Sequence, residues 1–181
     1  KSDGYNEFTP IFDNYYEFDQ DLRKNMMYLR EKICIPEDIN KYEDEIKQLE
    51  KKFTLFNSKV VNEVLKNCKE NVDLIGFHGQ TIFHNPDEKI SKQLGDGKLL
   101  SQLTKKNVVY NFRENDLKNG GQGAPLAPIF HKLLVDNNKI DLPVMILNIG
   151  GIANITSVQR GNKIYSSDIG PGNCLIDKWI R

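Results

Sequence analysis

The sequence predicts an α/β protein, and three observations carry that expectation. The first seventy residues repeat apolar side chains at helical spacing, the remainder holds short β-branched runs ending in glycine-rich turns, and strands then alternate with helices. At 181 residues the chain has the length of one ordinary domain, or of one domain with the start of a second, and can bury a real core.

Leu22, Met26, Leu29 and Ile33 form the stripe of an amphipathic helix, which Pro36 ends or interrupts. The stripe resumes at Ile46, Leu49, Phe53, Phe56, Val60, Val64 and Cys68, a long helix whose apolar face serves packing. Strands are predicted over 72–77, 108–112 and 144–149, rich in Val, Ile and Leu. Two more, 153–158 and 163–167, are joined by a hairpin turn at Gln159-Arg160-Gly161-Asn162. Helices are expected near 98–104, over 125–135, and from Gly172 to Arg181. The hairpin adds antiparallel pairing, so the expectation is a mixed sheet with flanking helices, not a purely parallel one.

The 25 basic and 25 acidic residues cancel, which leaves no overall field for nucleic acid or an acidic membrane. No apolar run approaches the roughly 20 residues that span a bilayer. The opening Lys1-Ser2-Asp3-Gly4-Tyr5 lacks the pattern of a signal peptide. Cys34, Cys68 and Cys174, odd in number and far apart, suit reduced cytosolic thiols better than disulfides or a zinc cage. A soluble cytoplasmic protein is expected.

Four segments at predicted strand ends carry chemistry. In Gly76-Phe77-His78-Gly79-Gln80-Thr81, Gly79 permits close backbone approach, while His78, Gln80 and Thr81 offer directional donors and acceptors. The plainer alternative is a polar turn between two strands, and no third ligand joins His78 and His84 to make a zinc site. Arg113, directly after a strand, can grip a carboxylate or phosphate. The following Gly120-Gly121-Gln122-Gly123 run exposes backbone N–H groups, and Pro125 suits the first turn of a helix whose start favours an anion. The alternative is a flexible loop with Arg113 paired to Glu114 or Asp116. Asn148-Ile149-Gly150-Gly151 is either a backbone cradle for phosphate or sugar hydroxyls, or a tight β-turn; it is neither GxGxxG nor a P-loop. Asp168, before Gly170-Pro171-Gly172-Asn173 and a helix, is placed to act as a base, to hold a metal or to cap that helix.

In this order, HGQT, FR…D…GGQGAPL, LNIGGIANIT and D-x-GPGN…D-x-W resemble the anhydro-N-acetylmuramic acid kinases of bacteria, from about residue 71 to the end of the chain. The resemblance implies an actin-like (ribonuclease H-like) ATPase fold of the sugar kinase, Hsp70 and actin superfamily, with two α/β domains around a cleft. We expect most of the first domain over 1–141 and the start of an incomplete second over 142–181. It further implies conversion of 1,6-anhydro-N-acetylmuramate to N-acetylmuramate 6-phosphate with ATP and Mg2+ during cell-wall recycling. Asp168 would be the base that activates water; His78, Gln80, Thr81, Arg113 and Asn173 would face substrate; Asn148, Gly150 and Gly151 would face phosphate. No protein metal ligand is assigned, and a homodimer is expected of the full-length enzyme.

The chain departs from the family pattern in two ways. Ile169 stands where the family's D-T-G-P-G-N motif has threonine, and the phosphate loop G-x-M-S-G-T-S-x-D-G is expected ahead of Lys1. With about as many residues again expected after Arg181, the chain is read as a fragment unable to phosphorylate sugar alone. The alternative reading is a non-catalytic amino-sugar sensor of the same fold.

Overall fold

Asp19 accepts a hydrogen bond from the Leu22 N–H at 2.7 Å and so caps the first helix, α1 (Gln20–Lys32). The computed structural model describes residues 1–3 and 6–180, which divide into one unit of residues 14–123 and another of residues 1–13 with 124–181.

In the first of these, α1 buries Leu22 and Leu29, as its apolar spacing predicts. Pro36 does more than end that helix: it opens a short one, α2 (Pro36–Lys41), at the position where a missing N–H is harmless. The long α3 (Glu43–Asn67) buries Ile46, Leu49 and Phe53 against α1 and the strands. Thr54, fully buried on the same helix, donates to the Glu50 carbonyl at 2.7 Å and accepts from the Asp96 N–H at 3.0 Å. That second bond ties α3 to the start of α4 (Gly97–Thr104), which Asp96 caps.

Strands β1 (Leu74–Phe77) and β4 (Asn107–Tyr110) pair in parallel, with α4 on the connection between them. Between them in sequence, β2 (Gln80–Asn85) and β3 (Ile90–Leu94) form an antiparallel hairpin. The predicted strand over 108–112 stops at Tyr110, because Asn111 turns left-handed (φ 60°) and starts α5 (Phe112–Lys118). Asparagine tolerates that conformation better than most residues.

In the other unit, β5 (Val144–Ile149), β6 (Ile152–Val158) and β7 (Ile164–Pro171) form an antiparallel sheet of order β5-β6-β7. Helix α6 (Pro128–Asn137) buries Val135 and touches both β6 and β7, and His131 Nδ1 lies 2.8 Å from the buried Thr156 hydroxyl. The helix expected from Pro125 starts at Pro128 instead. A helix from 125 would need Pro128 to donate to the Ala124 carbonyl, which proline cannot do. A last helix, α7 (Cys174–Ile180), follows; the expected end at Arg181 lies outside the described residues.

The expectation of one mixed sheet is corrected: parallel and antiparallel pairing occur in three separate small sheets among the described residues. The three cysteines are free thiols. Among the described residues no helix is long and apolar enough to cross a membrane.

Candidate functional site

Two groups of predicted site residues take shape, one in each unit. The first is built on Arg113, in the opening turn of α5 rather than at the end of a strand. Its Nε donates to His78 Nε2 at 3.1 Å, and its Nη1 donates to the Gly123 carbonyl at 3.4 Å. His78 Nδ1 lies 2.8 Å from the Gly79 carbonyl, which can only accept. The hydrogen of His78 therefore sits on Nδ1, and its Nε2 lone pair receives Arg113.

Both neighbouring acids are engaged elsewhere. Glu114 binds Lys118 and the Asn111 amide, while Asp116 accepts from the Gly123 N–H at 2.7 Å. The alternative of a surface arginine paired to Glu114 or Asp116 is thereby removed. Burial pushes the Arg113 guanidinium below its ordinary pKa, although arginine stays cationic. Of its five N–H donors two are used, so three remain for a ligand. Arg113 is thus a half-buried cation without an acidic partner among the described residues.

His78 sits in the turn between β1 and β2, and Gln80 and Thr81 open β2. The close approach that Gly79 (φ +74°) allows is to its own hairpin: a Cβ there would lie 2.2 Å from the Leu94 carbonyl oxygen. Thr81 Oγ1 accepts from Gln93 Nε2 at 3.3 Å. Gln93 also donates to Ser91 Oγ at 2.8 Å, while its Oε1 is buried with no partner. His78 lines a cavity of about 310 Å³ with Glu50, Lys92, Gln93, Asn111 and Glu114. That is the lower end of the roughly 300–1,000 Å³ usual for small-molecule pockets, and its lining is suited to hydroxyl and amide groups.

The second group lies on the three-stranded sheet. Asn148 on β5 stands opposite Asn154 on β6, which stands opposite Asp168 on β7. Residues directly opposite share a face, so the three make one polar row across the sheet. Asn154 is the member that sequence reasoning missed; its only signal was the second asparagine of Asn148–Asn154. The strand predicted to end at 167 runs to Pro171, so Asp168 lies within β7 and not at its end. Ala153 pairs with Gly170 and Asn154 with Asp168, which leaves Ile169 as the extra residue of a β-bulge. The exposed Asp168 carboxylate accepts no hydrogen bond and forms no ion pair among the described residues. It does not cap the helix that follows.

Gly150 and Gly151 form the β5–β6 turn, and their carbonyls accept from the lead into α7: Asn173 N to Gly150 O at 2.7 Å, Gly172 N to Gly151 O at 2.9 Å. Asn173 also donates its amide to the Ile149 carbonyl at 3.2 Å, so it fastens α7 to the turn. No atom lies within 4 Å of the place a Cβ would take at Gly151, leaving the backbone open to a phosphate. Among the described residues no three His, Cys, Asp or Glu side chains converge.

The carboxylate of Asp168 and the guanidinium of Arg113 each stand on α/β scaffolding, one in each unit. Residues 6–181 match the family model described as anhydro-N-acetylmuramic acid kinase, and the chain belongs to that family. It is 58% identical over 183 residues to an anhydro-N-acetylmuramic acid kinase of Pelagibacter ubique, covering 100% of this chain and 49% of the relative. Enzymes of the same name from Agrobacterium fabrum and Brucella canis are 45% and 44% identical, over 74% and 75% of this chain and 37% and 38% of their own lengths. The chain spans about half the length, or less, of these curated relatives.

Proposed function

We propose that the full reading frame containing this chain encodes an ATP-dependent kinase that converts 1,6-anhydro-N-acetylmuramate to N-acetylmuramate 6-phosphate, opening the anhydro bridge in the same site. In this reading Asp168 takes the proton from a water attacking the anomeric carbon, and the released 6-oxygen becomes the phosphoryl acceptor. ATP with Mg2+ supplies the phosphoryl group. Asn148, Gly150 and Gly151 hold phosphate, Arg113 holds an anionic group of the ligands, and His78, Gln80 and Thr81 orient the sugar. Asn173 contributes by fixing the glycine turn beside Asp168.

The observation that carries the reading is the Asp168 carboxylate, fixed on a strand yet without a protein partner among the described residues. A carboxylate already engaged by an arginine or a helix cap could not accept a proton as readily. We also read the fold as actin-like, with a second lobe that starts near Leu142, and the whole enzyme as a cytoplasmic homodimer. The exposed apolar face of Met145, Leu147, Ile149 and Tyr165 on the β5-β6-β7 sheet supports a lobe with further layers.

The test is Asp168→Asn in the full reading frame, supplied with 1,6-anhydro-N-acetylmuramate, ATP and magnesium. Turnover should fall by about 10²–10⁴-fold, the usual worth of a general base, with sugar binding retained by calorimetry. Unchanged turnover removes Asp168 from the chemistry.

A further inference from the structure

The Gly120–Gly123 run was expected to present N–H groups to a ligand at a helix start, yet it folds back onto α5. Asp116 organises that fold. Its backbone carbonyl accepts from the Gly121 N–H at 2.9 Å, and its carboxylate accepts from the Gly123 N–H at 2.7 Å. Gly121 is packed against the same carboxylate so closely that a Cβ there would lie 2.1 Å from Oδ2. Gly123 is buried with φ +70°, and a Cβ there would crowd Leu117 and the His84 ring. The peptide carbonyl of Gly123, aimed by these contacts, then accepts from Arg113 Nη1, and Arg113 Nε reaches His78.

We propose that Asp116 is a positioning residue for Arg113: by clamping the glycine loop it fixes the carbonyl that orients the guanidinium toward the anionic group of the ligand. The inference rests on the reading of Arg113 as a ligand contact. Asp116 touches no ligand itself. Its carboxylate is spent on a backbone N–H, although Arg113, three residues away, has no acidic partner among the described residues. Pairing Asp116 with Arg113 would neutralise the grip; holding the loop instead leaves the cation free and directed. The glycines belong to the same device, since a side chain at 121 would displace the carboxylate.

The test uses the full reading frame and steady-state kinetics with 1,6-anhydro-N-acetylmuramate as the varied substrate. Asp116→Ala should raise KM about tenfold, the scale of one hydrogen bond to a charged group, with kcat within about twofold. Asp116→Asn keeps an oxygen that can accept from Gly123 and should restore most of the affinity. In an Arg113→Ala background Asp116→Ala should add nothing to KM, because it acts through the group already removed. Gly121→Ala, which leaves the carboxylate but displaces it, should reproduce the KM rise, and it carries the test alone if Asp116→Ala does not fold. An unchanged KM in Asp116→Ala or Gly121→Ala, beside an impaired Arg113→Ala, overturns this inference and leaves the ligand role of Arg113 standing. Multiplying effects in the double variant do the same. An Arg113→Ala enzyme with unchanged KM overturns both.

Discussion

Replacing Gly79 by alanine tests whether the His78 loop is held by sterics as tight as the coordinates imply. Two costs add. At φ +74° an L-residue pays about 1–2 kcal/mol for the left-handed conformation. The new methyl would also lie 2.2 Å from the Leu94 carbonyl oxygen and 3.2 Å from its carbon, both backbone atoms. Relief requires β2 and β3 to part by about an ångström at the Gln80–Leu94 pair, where Leu94 is fully buried. One weakened ladder bond at about 1 kcal/mol and a loosened leucine at about 1 kcal/mol bring the total to about 3–4 kcal/mol. That is a large share of the roughly 5–15 kcal/mol that holds a domain together. Urea denaturation of the chain reads it directly. Gly120→Ala is the control in the same unit: φ is +89° and nothing lies within 4 Å, so only the conformational cost of about 1–2 kcal/mol applies. If the two variants lose equal stability, the steric part of the reasoning is refuted, and with it the claim that the hairpin fixes His78.

Two further predictions follow from the α2 cap and the polar row. The Asp38 carboxyl, which accepts from the Cys34 N–H at 3.0 Å and the Ile35 N–H at 3.2 Å, is held below its ordinary pKa by those two bonds. A depressed folded-state pKa contributes stability above the unfolded value and loses it as pH falls through the folded one, so the melting-temperature gap between the parent chain and Asp38→Asn should be open at neutral pH and close in acid; a gap independent of pH refutes the cap. Asn154→Ala in the full reading frame should lower kcat about tenfold without moving the melting temperature, since it removes an amide that stands opposite Asp168 and can bond the proposed attacking water; unchanged kcat would exclude Asn154 from the proposed site.

The helices were legible because their signal is local. Leu22 and Leu29, and then Ile46, Leu49 and Phe53, recur at helical spacing and are the residues the structure buries. The hairpin β2–β3 was not, because Ile82 and Phe83 are adjacent and both pack on the core, and the register shifts between Thr81 and Phe83, which spoils the period of two. Helix α5 was lost to a single left-handed residue, Asn111, that no periodicity announces. At the site, Arg113, His78 and Asp168 could be picked out by residue type and position. Asn154 and Asp116 could not, because each depends on pairing. Asn154 faces Asp168 only because one residue is bulged out, and Asp116 reaches Gly123 only because three glycines let the loop turn back.

The bulge also gives a physical account of Ile169, which stands where the family pattern has threonine. As the extra residue of β7 it has no partner on β6 and lies 56% exposed, so its side chain is not part of the sheet's packing. What the backbone asks of this position is stiffness at χ1 and a preference for extended geometry, and isoleucine and threonine, both β-branched, supply both. The exchange therefore suits the backbone that carries Asp168 and puts an ethyl group in place of the hydroxyl. The consequence is confined to hydrogen bonding around the carboxylate. Restoring threonine at 169 should leave the fold unaltered, and any change it brings to turnover would report the worth of that hydroxyl beside the proposed base.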